Sequence, residues 1–201
     1  MKPALLLVVL TLATSVSFAG TIDFTNQFGT ITVTNAGITT RGSELMTFDG
    51  IPAAKNHSLG TVDFSTGALA TGSIFTGGTF SSAGSSFDIF GNGQHGLPKG
   101  IMFAGSFIGP IDWTMLSHTG QFDYTFALSG KIDGMLANGR MATGTTVQYI
   151  TLYKNQWFHD NKGSINLGNT GLSTPEPSAL MLMGTGVLGI AGMFRRRFTR
   201  A

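Results

Sequence analysis

Gly29-Thr30-Ile31-Thr32-Val33-Thr34-Asn35 alternates apolar and hydroxyl side chains strictly, with β-branched residues at nearly every position. Successive side chains of a strand point to opposite faces, so this pattern predicts a strand with Ile31 and Val33 on a buried face and threonines toward solvent. Working outward, similar short runs occur at 61–65, 73–80, 85–90, 101–108, 121–130 and 145–153, separated by glycine-containing breaks. From Thr21 to Asn166 no stretch shows a sustained 3.6-residue apolar period, which excludes an α-helical domain. The 16 phenylalanines recur among the runs and are the expected core-filling side chains. The predicted fold is all-β, a single antiparallel β-sandwich-like domain. Recurrent Gly-Thr/Ser-apolar fragments such as Gly72-Ser73-Ile74-Phe75 and Gly78-Thr79-Phe80 suggest a solenoid, but their irregular spacing disfavours one.

The 201-residue chain is poor in charge, at 11%, and rich in glycine, with 29. It has no cysteine, so disulfides and thiolate metal sites are excluded. The formal charge of +2 misleads, because Arg195, Arg196, Arg197 and Arg200 crowd the C-terminus. Between Gly20 and Thr174 seven basic residues face nine acidic ones, a net −2, so the folded part is no nucleic-acid binder.

Both ends read as processing segments. Lys2, the apolar run Ala4–Ala13 and the small pair Ser17 and Ala19 follow the order of a secretion signal, with signal peptidase expected to cut between Ala19 and Gly20. At the other end Pro175-Glu176-Pro177 precedes 17 uncharged residues, 178–194, and then the arginine cluster. As a helix those residues would extend about 25 Å, just enough to span a bilayer. The arginines would fix the C-terminus in the cytoplasm. The predicted organisation is a signal peptide (1–19), a β-rich extracytoplasmic domain (20–172), a sorting motif (173–177), a transmembrane helix (178–194) and a basic tail (195–201).

Thr174-Pro175-Glu176-Pro177-Ser178, the glycine-rich apolar run to Gly192 and the arginine cluster together resemble the PEP-CTERM sorting signal of exopolysaccharide-producing Gram-negative bacteria. The resemblance covers about the last 28 residues. It implies a chain handled by exosortase, a membrane cysteine transpeptidase, with Pro175, Glu176 and Pro177 as recognition residues rather than catalytic ones. Independently, two prolines bracket Glu176 and keep the segment extended, the conformation a protease-like enzyme requires of its substrate. A weaker likeness to small proteins of that class runs through Leu59–Gly67, Gly91–Gly93 and Gly105–Phe107 and carries no activity.

Catalytic signatures are sparse. Gly91-Asn92-Gly93-Gln94-His95-Gly96 fits G-x-G-x-x-G, but Leu97-Pro98-Lys99-Gly100 leads into another strand-like run instead of a phosphate-binding helix, so a loop is expected. His57, His95, His118 and His159 form no metal-binding spacing and read as loop histidines. Asp49-Gly50 and Asp133-Gly134 read as turns. Asp63, Asp112 and Asp123 are the carboxylates that could meet for glycoside hydrolysis. Trp113, Trp157, Tyr124, Tyr149 and Tyr153 could stack on sugars but suit core packing better, and Trp157-Phe158-His159-Asp160 is the cluster of first interest. The expectation is a noncatalytic, cofactor-free, metal-free envelope or matrix protein. Its partners would be signal peptidase, exosortase, the membrane and a surface polysaccharide. The alternatives are a carbohydrate-binding module, a glycan-active enzyme, or a protein whose tail stays uncut as a permanent anchor.

Overall fold

The threonine-rich alternation does form strand: Ile31 and Val33 are fully buried, and Thr30, Thr32 and Thr34 beside them keep solvent contact. A computed structural model describes residues 20–119, 123–153 and 161–174. Among these, eleven strands and no helix occur: β1 (Thr21–Thr34), β2 (Gly37–Phe48), β3 (Ile51–Pro52), β4 (Gly60–Ser65), β5 (Leu69–Ser73), β6 (Gly77–Phe80), β7 (Ser86–Asn92), β8 (Lys99–Thr119), β9 (Asp123–Leu136), β10 (Met141–Tyr153) and β11 (Lys162–Ser173). The expected signal peptide and C-terminal helix lie outside the described residues, and no described helix is long and apolar enough to cross a membrane.

The expected sandwich is corrected to a barrel. All pairings are antiparallel, and β1, β2, β4, β7, β8, β9, β10 and β11 neighbour one another in that order, with β11 returning to β1. Eight strands therefore close up-and-down, and the closed ladder has no free edge. Local alternation is the same in a sandwich and a barrel; what differs is which distant strands meet. Here β8 is long enough to pair β7 with its first part while bonding β9 along nearly its whole length.

Two further expectations fail. The run 73–80 is not one strand: Ile74–Thr76 form the turn between β5 and β6, a hairpin laid on the second part of β8. Its tip is fixed because Ile74 is buried and its carbonyl accepts the Trp113 indole N–H at 3.0 Å. Asp133-Gly134 is no turn either, but lies within β9 opposite Thr143 and Ala142. There the interior crowds: a Cβ on Gly134 would meet the Ala104 carbonyl, the Gly105 Cα at 2.5 Å and the Phe103 ring at 2.8 Å. Glycine is selected at this position for close strand approach, not for reversal. By contrast, Asp49-Gly50 does turn the chain between β2 and β3, with positive φ at both residues, as a two-residue hairpin loop favours.

The alternation also continues past Asn166 to the end of β11, where Thr170 and Leu172 point inward. One side of the interior is aromatic. Phe87 lies 5.8 Å from Phe64, 5.7 Å from Phe107, 6.5 Å from Phe103 and 6.2 Å from Phe24, and Trp113 stacks on Phe126 at 4.3 Å. Geometry of this kind stabilises a core beyond the area it buries.

Candidate functional site

The barrel places its two chain junctions side by side. Gly20, the residue expected just after signal cleavage, is exposed immediately before β1, and Thr21 is the direct partner of Ser173, the last residue of β11. Ser173 also pairs with Thr143, so β11 is held on both sides to its final residue. Thr174 follows at 4% exposure, with Arg140 Nη2 at 3.5 Å from its hydroxyl oxygen. Barrel structure thus continues to the residue before Pro175. Ala19, Pro175, Glu176, Pro177, Arg195, Arg196 and Arg197 lie outside the described residues.

Opposite this end, Phe75, Thr76, Met115, His118 and Tyr124 line an open pocket of about 410 Å³. Register explains the location. Met115 pairs with Phe126 and His118 with Tyr124, so the pocket begins just beyond the buried Trp113–Phe126 stack at the end of the barrel away from Ser173. His118 and Tyr124 stack at 4.3 Å and 13°. The lining is apolar with a few polar tips, the usual make-up of a small-ligand site.

The remaining candidates separate. Trp113 is 1% exposed and belongs to the core, and Tyr149 sits half-buried on β10. Asp63 does not meet Asp112: its register partner is Asp88, whereas Asp112 lies opposite Thr79 and Ser129. Burial, and then the neighbouring Asp63, push the Asp88 carboxyl above its ordinary pKa, against a lowering hydrogen bond from the Gly105 backbone. Asp63 itself accepts the Gly42 N–H at 2.7 Å. The glycine-rich run 91–96 ends β7 and enters the β7–β8 connection, organised by Asn92, whose side chain accepts the Gln94 N–H and donates to the Ser58 carbonyl. His95 is exposed in that connection and His57 in the segment between β3 and β4, while His118 lies on β8 rather than in a loop. Among the described residues no three His, Asp or Glu side chains could hold a metal. His159 and the Trp157–Asp160 cluster lie outside the described residues, as do the side chains of Asp123 and Tyr153.

Sequence reasoning missed a polar cluster inside the barrel. Asn26 Nδ2 donates to Gln148 Oε1 at 2.9 Å and Ser43 Oγ at 2.8 Å, and Gln148 Nε2 donates to Thr146 Oγ1 at 2.8 Å. Thr146 in turn bonds Thr170 at 2.7 Å, and Ser43 donates to the Gln27 carbonyl. Gly168 stands between Asn26 and Gln148 as register partner of both, and a Cβ there would strike both amide oxygens. The missing side chain is what lets the amides touch. Parity was the available signal: Asn26 is two residues from Phe24, and Gln148 two from Ile150.

No curated protein and no solved structure matches the chain. The chain does match a family model over residues 173–197, beginning at the last residue of β11. The match shows that the chain carries a PEP-CTERM protein-sorting motif, which implies an exported protein processed by the membrane enzyme exosortase.

Proposed function

We propose that the chain is a noncatalytic envelope or extracellular-matrix protein of a Gram-negative bacterium. It is exported by its N-terminal signal, anchored for a time by its C-terminal segment, and processed by exosortase during exopolysaccharide- or biofilm-associated surface assembly. The carrying observation is the join at Ser173, where the sorting match begins as β11 ends. The barrel ladder closes entirely within Thr21–Ser173, so among the described residues every strand and every buried side chain precedes the Pro175-Glu176-Pro177 motif. Such a cargo remains folded after release. Glu176→Ala, expressed with exosortase, is expected to leave a full-length membrane-bound precursor. Neutralising Arg195, Arg196 and Arg197 is expected to impair anchoring and processing together. Fractionation with intact-mass analysis reads both, and wild-type maturation of Glu176→Ala would remove the residue-level support for sorting.

A second reading, carbohydrate binding, is favoured by the pocket around Phe75, His118 and Tyr124, where ring faces and polar tips meet as sugar binding requires. Binding on a glycan array that is lost in Tyr124→Ala would support it. Turnover of a bound glycan that is abolished by Asp88→Asn would instead favour a glycan-active enzyme using the Asp63–Asp88 pair.

A further inference from the structure

Register gathers one set of connections at the end where the termini leave. Ser173 pairs with Thr143 and Thr143 with Asp133, placing the β9–β10 turn at this rim. Leu136 pairs with Phe103, Gly91 with Gly100 and Gly60 with Gly91, which adds the β7–β8 connection and the segment leading into β4. Lys55 and Arg140 lie in these connections and Lys99 opens β8, all three exposed, against the exposed Asp49 and its neighbour Asp23, whose carbonyl accepts the Asp49 N–H at 2.7 Å; Glu44 and Asp133 are half-buried on the adjoining strands.

Beside them three apolar side chains are exposed on the outer wall. Met135 and Met141 are direct partners, 50% and 51% exposed, and Ile101 near the start of β8 is 54% exposed. Single exposed apolar residues are ordinary, but two in register with a third on the next strand at a basic rim form a combination suited to a lipid interface. The chain also limits how far this rim can stand from a membrane. Only Thr174, Pro175, Glu176 and Pro177 separate β11 from the apolar run that starts at Ser178, a reach of about 14 Å when fully extended.

We propose that the rim formed by the β7–β8 and β9–β10 connections and the segment before β4 docks on anionic phospholipid headgroups, with Lys55, Lys99 and Arg140 toward the phosphates and Met135, Met141 and Ile101 at the interface. The proposal rests on the sorting reading, which supplies the membrane at this end. It adds that the barrel itself adheres, so the motif is presented from a barrel set against the bilayer instead of one swinging freely.

The segment 20–174 tests this without its tail, since its strands close on themselves. It is sedimented with vesicles of phosphatidylglycerol and phosphatidylethanolamine, and separately with phosphatidylcholine alone. Selective binding to the anionic vesicles is expected, weakening as salt rises. Each of Lys55→Ser, Lys99→Ser and Arg140→Ser is expected to weaken it about fivefold, the loss of one basic contact near such a surface. Met135→Ser with Met141→Ser should lower it further, while Phe75→Ser with Leu116→Ser at the opposite end should leave it unchanged. No binding, equal binding to both vesicle types, or loss only in the opposite-end variant would overturn the proposal. Because the assay contains neither tail nor exosortase, its failure leaves the Glu176→Ala result independent, and the converse holds.

Discussion

Phe64, Phe87, Phe103 and Phe107 line one side of the barrel interior, while Asn26, Ser43, Thr146, Gln148 and Thr170 line another, and all nine are at most 4% exposed. The aromatic side is built by β4, β7 and β8, neighbours in the barrel; β7 runs on into β8 through a short connection, and β4 reaches β7 by way of the β5–β6 hairpin. Contacts there join residues nearer in the chain than those of the polar side, and close packing without directional bonds suffices. The polar side straddles the seam where β11 closes on β1, and its central bond joins residues 122 apart in the chain. Two distant strands that slipped by one residue would turn every side chain to the wrong face. Amides that find partners only in one alignment penalise that slip, because an unmade buried hydrogen bond is costly. Thr40 on β2 is the exception among the described residues, with a buried hydroxyl that has no partner.

The largest effect should come from the aromatic side. Phe87→Ala removes the ring at the centre of four aromatic contacts and is expected to cost about 3–5 kcal/mol in chemical denaturation. A loss under about 1 kcal/mol would mean the interior is not packed around it. On the polar side Gly168→Ala forces Asn26 and Gln148 apart, for about 2–3 kcal/mol. That cost should shrink in a Gln148→Ala background, since the clash with Gln148 and the amide–amide bond are then already gone and only the contact with Asn26 remains. An unchanged cost in the double variant would show that Gly168 serves the backbone alone.

The smallest effect lies outside the barrel, on its wall. Because the folded-state pKa of Asp88 is raised, the folded protein holds that proton more tightly than the unfolded chain, so stability falls as pH rises from the ordinary aspartate value, about 3.9, through the raised one. Asp88→Asn should therefore melt higher than wild type at neutral pH. The difference should close below that window, and a lower melting temperature at pH 7 would contradict it.

The same contrast explains what the sequence discloses. Threonine-flanked Ile31 and Val33 announce β1, and Val147 to Leu152 announce β10, because alternation is local. Closure is not, since it depends on β8 meeting β9 and β11 meeting β1 after the chain has gone round. Asp133-Gly134 misleads because a turn dipeptide was selected by interior crowding. Asn26 and Gln148 mislead because their polarity argues for solvent while their parity argues for the core. Asp63 finds Asp88, instead of Asp112, through a register that no spacing reveals. The sorting motif is readable at once, being a linear signal whose recognition needs no fold.

The account is tested most directly by intact mass on the protein recovered from the surface of its native host, which reports both ends of the mature chain together. The expected chain begins at Gly20 and ends at or near the Pro175-Glu176-Pro177 motif, lacking the apolar run and the arginines while retaining the closed barrel. A surface protein extending to Ala201 would contradict processing at the motif, and one beginning at Met1 would contradict export by the N-terminal signal.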